Sequence, residues 1–382
     1  MDFALPVAIS KDLIRLKEFI KIKLAVDLPN WYRDGAVPRT FHRTMGEAGW
    51  LGFELTGDYL LKSSALRGAC VAEELAKVSP GVAVAALAHA DLGLTGLWLF
   101  GSDALKQKYA PSAVKGETLL CLGNTEGGAG SDVANIAMRA EKVTGGWELS
   151  GAKAYVTSGL LSDLAVVSAV SDPGAQRNRR LSLFLVDLAA EGVQRTKLNK
   201  QVWIPSDLTR IQLNRVFVPE DHLLGVRGQG LQQVLSIFTH SRIPISALTV
   251  GTASGAFELA VEHAKKREVM GQKIIDFQAK AFEIADLYAR IEAARLMLWK
   301  ACWSMETKDD FRLESSLAKY LAVAVAKDVA AWATDLFGAA SVIFDHPIHK
   351  YPMDAWASSL GEGTQDIQKL VIFREVIKRY NQ

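Results

Sequence analysis

Residues 121–132 read CLGNTEGGAGSD, and residues 149–159 read LSGAKAYVTSG. The first stretch sets several glycines among polar residues, so its backbone can approach a ligand closely and present N–H groups to oxygen atoms. The second places Tyr155 and Thr157 two positions apart on a predicted strand, where both side chains face the same side. An aromatic ring beside a hydroxyl, next to a glycine-rich loop, suits a flat cofactor with polar edges. By spacing alone, an ordinary turn between strands is an equally good interpretation.

Length and composition describe a globular chain of several domains. The 382 residues are 49% hydrophobic and 23% charged, and the length suggests two or three domains. A net charge of +2 gives no reason to expect nucleic acid or an anionic membrane as a partner. No apolar run approaches the roughly eighteen residues of a membrane span, and the N-terminus lacks a signal-peptide core. We therefore expect a cytoplasmic protein with no membrane span.

The cysteines and histidines do not form a recognisable metal or disulfide pattern. Cys70, Cys121 and Cys302 are far apart and odd in number, which favours buried thiols in a reducing compartment. His346 and His349 are three apart, but no cysteine or third histidine lies near them in the sequence. We expect no metal site.

Hydrophobic periodicity changes twice along the chain. Apolar residues recur at helical spacing over about 11–115, strand-like runs occupy 120–225, and long helical patterns return from 229 onwards. The order predicts a multi-domain α+β fold. Its parts are a helical N-terminal domain (1–118), an antiparallel β-sheet or barrel middle domain (119–228) and a C-terminal domain like a four-helix bundle (229–382). Gly251 and Gly255, four apart in a predicted helix, indicate close helix packing or an oligomer seam.

Glu362 is the candidate base of the C-terminal region. It lies between two glycines, just before Thr364 begins the last amphipathic helix. A carboxylate on such a loop is free to point into a cleft and act as a general base. The alternative is that Thr364 caps the helix while Glu362 faces solvent, and the local sequence alone favours this alternative.

Five segments occur in order along this layout. They are TEGGAGSD (125–132), GAKAYVTSG (151–159), SDLT with VPEDHLLG (206–225), Arg267 with Gln278, and EGT with IQ (362–368). Together they resemble the flavin-dependent acyl-CoA dehydrogenases over essentially the whole chain. The resemblance implies non-covalent FAD, an acyl-CoA substrate, an electron-transferring flavoprotein as acceptor, and a homotetramer.

The resemblance also implies roles for individual residues. Leu122, Asn124 and Thr125 match positions at the flavin pyrimidine edge; Tyr155 stands where the family usually has Trp against the ring, and Thr157 matches a hydrogen-bonding position near flavin N5. The other cofactor positions are Gly130, Ser131, Arg267, Gln278, Gly338, Thr364 and Asp366, with Arg267 and Gln278 serving the FAD of a neighbouring subunit. The substrate positions are Ser131, Arg242 and Gly361.

Two carboxylates are candidates for proton abstraction. Glu362 matches the base of most straight-chain members of the family. Asp91 is a departure, because the family has a small polar residue there, on a helix that lines the acyl pocket. It either faces solvent, pairs with His89 or Arg242, or serves as a second base toward another substrate carbon. Asp91, with the space that Gly361 would leave, resembles the cyclohex-1-ene-1-carboxyl-CoA dehydrogenases, which implies an alicyclic substrate.

Other functions remain open within this resemblance. A conventional α,β-dehydrogenase of short or branched acyl-CoA and an oxidase that passes electrons to oxygen share the fold. A carrier-protein-bound acyl group could replace the CoA thioester. A non-catalytic flavin-binding relative is least favoured, because mixed charges and a pI of about 8.3 do not suggest a basic surface.

Overall fold

The N-terminal part is helical, with one short hairpin. The computed structural model describes residues 4–57 and 59–380, and only the backbone of residues 59–61. Its helices are α1 (Val7–Phe19), α2 (Leu28–Asp34), α3 (Arg39–Glu47), α4 (Ala65–Val78), α5 (Pro80–Leu87), α6 (Thr95–Phe100) and α7 (Asp103–Val114). The hairpin pairs β1 (Phe53–Thr56) with β2 (Tyr59–Lys62), and π-helical turns occupy Ile20–Leu24 and Ala88–Leu94. Helical periodicity predicts the helices but misses the hairpin, whose four-residue strands are too short to show alternation.

The middle part is one eight-stranded sheet. Its strands are β3 (Leu120–Gly123), β4 (Arg139–Val143), β5 (Gly146–Thr157), β6 (Leu164–Val170), β7 (Leu181–Asp187), β8 (Val193–Lys197), β9 (Leu208–Pro219) and β10 (Leu223–Leu224). They pair in the order β10-β7-β6-β4-β5-β9-β8, with β3 beside β6. The sheet is antiparallel except that β3 and β4 pair with β6 in parallel. This departure places the end of β3 next to β6 and β5.

The C-terminal part contains four long helices and one short one. They are α8 (Gly230–Ala264), α9 (Gln278–Thr307), α10 (Arg312–Phe337), α11 (Lys350–Ala357) and α12 (Gln365–Tyr380). A two-residue hairpin, β11 (Glu268–Val269) with β12 (Gln272–Lys273), precedes α9. The predicted long helices are confirmed, whereas α11 is not predicted, because its eight residues give too little periodicity.

Helix α8 joins the domains. Its residues belong to the core of the C-terminal helices, to that of the first helices, and to that under the sheet. A Cβ on Gly251 would lie 2.3 Å from the carbonyl oxygen of Glu73, and one on Gly255 would lie 2.3 Å from that of Lys77. Helices α8 and α4 therefore approach so closely that only glycine fits, which confirms the predicted helix packing.

The buried interior accounts for two further features of the sequence. All three cysteines are buried free thiols, as predicted. Contrary to the expectation from the sequence, two helical stretches have the length and hydropathy of a membrane span, Pro80–Phe100 and Gly230–Ala264. In these stretches 72% and 89% of the apolar window is buried inside the protein, so internal packing explains their composition.

Candidate active site

One cavity brings together four of the residues singled out in the sequence. Asp91, Thr157, Gly361 and Glu362 line it, although they belong to three segments that are far apart in the chain. The rest of its wall is mostly apolar and includes Val84, Leu87, Ala88, Leu92, Pro244 and Ile245, together with Trp203 and Ser241. Two carboxylates and a hydroxyl thus face a cavity with few other polar groups.

The loop between α11 and α12 holds Glu362 in an unusual backbone conformation. Its φ angle is +50° and that of Gly363 is +93°, a left-handed region that costs a non-glycine residue about 1–2 kcal/mol. The N–H of Ile367 donates to the hydroxyl of Thr364, so Thr364 caps α12 as proposed. Capping does not leave Glu362 in solvent, because Glu362 lines the cavity.

Charged groups around Glu362 act on its pKa in opposite directions. Burial raises the pKa of the Glu362 carboxyl, and the negative charge of Asp91 raises it further. The cations Lys319 and Arg242 lower it. The result is a carboxylate that is a stronger base than an exposed glutamate, with two cations nearby that favour its ionised form.

Arg242 supports the backbone of the loop. It is buried in α8, and its Nε donates to the carbonyl oxygen of Glu362 at 3.3 Å. Burial lowers the pKa of Arg242 to about 10. This value is still well above neutral pH, so the guanidinium stays charged. This contact explains why an arginine is built into the middle of an apolar helix.

The partner of Asp91 is Lys62, not His89 or Arg242. The Nζ of Lys62 lies 2.9 Å from Asp91 Oδ1 and 3.1 Å from the hydroxyl of Thr95. The ring nitrogens of His89 instead contact the backbone of Ala113 and Leu120. The partners predicted from the sequence were wrong. The true partner, Lys62, lies on β2, a strand of the short hairpin that hydrophobic periodicity did not predict.

The glycine-rich loop is joined to strand β5, whose last residue, Thr157, lines the cavity. Lys153 is fully buried, and its Nζ donates to Glu126 Oε1 at 2.7 Å and to the carbonyl oxygen of Asn124 at 3.0 Å. The N–H of Ala154 donates to the carbonyl oxygen of Thr125 at 2.8 Å. These bonds bring the end of β3, with Leu122, Asn124 and Thr125, next to β5.

Val156 is buried, whereas its neighbours Tyr155 and Thr157 are not. Tyr155 has a φ of +56° in an irregularity of the β5–β9 pairing. It is 63% exposed, while Thr157 lines the cavity. A Cβ on Gly127, Gly128 or Gly130 would meet no atom within 4 Å. The turn with open glycines is joined to β5 by the bond between Ala154 and Thr125, so its free N–H groups are available to the phosphates of a cofactor.

Other residues singled out in the sequence lie at the surface of the chain, away from the cavity lining. They are Gly130, Ser131, Arg267, Gln278, Gly338 and Asp366. Asp366 is paired with Lys369. Arg267 and Gln278 flank the β11–β12 hairpin, and their exposure is compatible with a role toward a neighbouring subunit.

Sequence reasoning missed three residues of the site: Lys62, Trp203 and Lys319. Lys319 is fully buried in α10, and its Nζ donates to the carbonyl oxygens of Gly361 and Gly363. A signal for it exists, because Lys319 lies at helical spacing from buried Ser315, Ser316 and Val323, and lysine is rarely buried without a partner. Trp203 and Lys62 follow no periodic pattern.

The fold and the site together describe helical, β-sheet and helical parts with two carboxylates on a mostly apolar cavity. Models of the acyl-CoA dehydrogenase N-terminal, middle and C-terminal domains match residues 14–117, 121–216 and 228–377. The chain belongs to the acyl-CoA dehydrogenase family, whose cofactor is FAD.

Similar proteins cover 80% of this chain or more. The caffeyl-CoA reductase-Etf complex subunit CarC of Acetobacterium woodii is 30% identical over 80% of this chain and 81% of its own length. The structure of butyryl-CoA dehydrogenase from Megasphaera elsdenii has a TM-score of 0.93 and 28% identity, covering 99% of this chain and 100% of that one. A structure of PigA with FAD and proline has a TM-score of 0.93 and 27% identity, with the same coverage of both chains.

Proposed function

We propose that this acyl-CoA dehydrogenase removes the α-proton of an acyl-CoA thioester with Glu362 as the base. The observation that carries the proposal is the position of Glu362 on the apolar cavity that Thr157 also lines. Its pKa is raised by burial, which makes the carboxylate a stronger base. A positioned base contributes about 10²–10⁴-fold in rate, or about 3–5 kcal/mol of barrier.

Other residues of this chain would bind the cofactor and exclude water from the reacting carbon. When bound, FAD supplies the acceptor for the hydride that leaves the β-carbon. Tyr155, Thr157 and the 122–131 segment would hold its ring and phosphates. Thr364 and Asp366, which follow Glu362 closely in the sequence, would complete the cofactor site. The apolar wall formed by Leu87, Pro244 and their neighbours excludes water from the carbon that loses its proton. Glu362 takes that proton at a carboxylate oxygen.

A second cavity provides space for the acyl group. It shares Leu87, Asp91 and Pro244 with the first cavity. Most of its wall is apolar, and several of the residues are small: Gly68, Ala69, Ala72, Ala86 and Ala90. Small side chains leave room that an acyl chain or ring can fill, which supports an acyl substrate that extends beyond the reacting carbons.

The direct test is anaerobic mixing of the FAD-loaded protein with acyl-CoA thioesters. We expect the flavin absorbance to bleach with at least one member of a series from butyryl-CoA to dodecanoyl-CoA and cyclohexene-carboxyl-CoA, and the enoyl or dienoyl product to form. Absence of bleaching with every thioester would contradict the proposal. Reoxidation in air then distinguishes oxygen from an electron-transferring flavoprotein as the electron acceptor. The reduced flavin of an oxidase regains its absorbance rapidly in air, whereas that of a dehydrogenase does not.

A narrower candidate is an alicyclic substrate, with Asp91 as a second base. It is supported by the position of Asp91, which lines both cavities with its carboxylate near Glu362. The ion pair with Lys62 argues for a structural role instead. We expect Asp91→Asn to slow turnover of cyclohexene-carboxyl-CoA by about 10²-fold or more, with a much smaller effect on butyryl-CoA. Equal effects on both substrates, or none, would remove Asp91 from the mechanism.

We also propose an electron-transferring flavoprotein as the acceptor, a homotetramer as the assembly, and the cytoplasm as the location. The acceptor is supported by the similarity to CarC, which is a subunit of a complex with Etf. The assembly is supported by exposed apolar residues on α12, such as Phe373 and Tyr380.

A further inference from the structure

Three side chains from three helices converge on the carbonyl groups of the loop that holds Glu362. Lys319 of α10 donates to the carbonyl oxygens of Gly361 and Gly363, one on each side of Glu362. Gln368 of α12 donates to those of Glu362, at 3.1 Å, and Gly363, at 2.8 Å. Arg242 of α8 donates to that of Glu362. Of these three side chains, only that of Lys319 binds carbonyl groups on both sides of Glu362.

The loop needs such support because of its backbone conformation. Consecutive left-handed φ angles at Glu362 and Gly363 are unfavourable for the glutamate by about 1–2 kcal/mol. Such strain persists only where the surroundings fix the conformation. The flanking glycines allow many backbone conformations and favour none of them. The hydrogen bonds to the loop therefore have to stabilise this one conformation.

We propose that Lys319 is a positioning residue, which fixes the Glu362 loop by binding the carbonyl groups of both flanking glycines. The inference rests on the proposed role of Glu362 as the base. The ammonium of Lys319 has two functions: it orients the loop so that the carboxylate faces the cavity, and its charge favours the ionised carboxylate.

The charges that face Lys319 determine the pH at which this support fails. The carboxylate of Glu362 and the guanidinium of Arg242 act on Lys319 directly. Arg312 acts on Arg242, and Asp91, which is paired with Lys62, acts on Glu362. Burial lowers the pKa of Lys319 to about 8; Arg242 adds to this effect and Glu362 opposes it. Neutral lysine loses the charge-assisted hydrogen bonds to the loop, so support weakens as the pH rises through about 8.

The test compares Lys319→Met with Lys350→Met. Lys350 is a matched control, because it is also a largely buried lysine that donates to a backbone carbonyl, that of Val78, and does not touch the loop. We expect only Lys319→Met to accelerate amide hydrogen exchange in a peptide covering residues 358–366, measured without substrate. We expect kcat to fall about 10- to 100-fold, as a misplacement of about 1 Å can produce, with little change in KM or FAD content.

The pH profile of flavin reduction separates positioning from mere stabilisation. In the wild type we expect the rate to fall as the pH rises through about 8. In Lys319→Met that alkaline fall should disappear, and the acidic limb should move to higher pH, because a cation that lowers the pKa of Glu362 is lost. A purely structural role would lower the melting temperature without moving either limb.

Two results would overturn the inference: unchanged hydrogen exchange in the loop of Lys319→Met, or a pH profile of flavin reduction that is the same in Lys319→Met and in the wild type. If Lys319→Met does not fold, Lys319→Gln, which keeps a donor but no charge, takes its place in both measurements. Hydrogen exchange reports on Lys319 even if Glu362 proves not to be the base, so the two proposals fail separately.

Discussion

Glu362 shows how a single residue combines strain, burial and charge. Its backbone is held in a left-handed conformation, and its carboxyl lies in a cavity that is mostly apolar. Two cations, Lys319 and Arg242, limit the rise in its pKa that burial alone would produce. A base used at neutral pH needs this balance: a pKa that is high enough for proton abstraction yet low enough for ionisation.

The balance predicts the acidic limb of the pH profile. Glu362 must be ionised to accept the proton, so the rate of flavin reduction should rise with pH through its pKa. Because that pKa is raised, the half-maximal rate should occur above the ordinary glutamate value of about 4.3. Asp91→Asn removes a charge that raises the pKa, so the limb should shift to lower pH in that variant. A limb at the same pH in both proteins, measured by stopped-flow absorbance, would contradict the electrostatic coupling.

At the scale of elements, the buried pair of Lys153 and Glu126 joins the glycine-rich loop to strand β5. Glu126 also accepts from the N–H groups of Ala137 at 2.8 Å and Met138 at 3.0 Å, which ties the start of the loop to the segment before β4. Lys153 is fully buried, and burial lowers its pKa to about 8. This desolvated ion pair is therefore one of the contacts that hold the loop against β5.

Lys153→Met should loosen this loop. Removing one member of a buried pair leaves an uncompensated charge and costs about 3–5 kcal/mol, so we expect a lower melting temperature and a weaker affinity for FAD, measured by fluorescence titration. Lys142→Met is the control, because the Lys142–Glu220 pair is exposed and such pairs contribute about 0–1 kcal/mol. Equal melting temperatures in the two variants would show that the loop does not depend on Lys153.

The sequence predicts elements better than it predicts contacts between them. Long helices such as α8 and α10 show enough periodicity to be located, and Gly251 reveals a close helix contact through its lack of a side chain. The hairpin that supplies Lys62 is too short for any pattern, so the partner of Asp91 could not be predicted. Helical spacing could indicate that Lys319 is buried, but its target could not be predicted, because a backbone carbonyl has no residue-specific signal in a sequence.

At the scale of the whole molecule, helix α12 presents an apolar stripe to solvent. Leu370, Phe373, Ile377 and Tyr380 recur at spacings of three and four residues, and each is at least 41% exposed. Apolar residues on one helix face that no part of the described chain covers are typical of an interface. A second copy of the chain is the occupant that the proposed homotetramer supplies.

The proposed homotetramer predicts the molecular mass of the protein in solution. Sedimentation equilibrium should give four times the chain mass of 41.6 kDa, and Phe373→Glu should reduce it by placing a charge in the stripe. Val226→Glu, at an exposed apolar residue outside α12, is the control and should leave the mass unchanged. A wild-type monomer would contradict the assembly, and a tetrameric Phe373→Glu would place the interface elsewhere.

The central claim is that Glu362 removes the substrate proton, and single-turnover reduction of the flavin in Glu362→Gln tests it most directly. Glutamine has nearly the same shape but cannot accept the proton. We expect the variant to bind FAD with an unchanged absorption spectrum and to be reduced by a good acyl-CoA substrate about 10²-fold or more slowly than the wild type. Reduction at the wild-type rate would show that another group is the base.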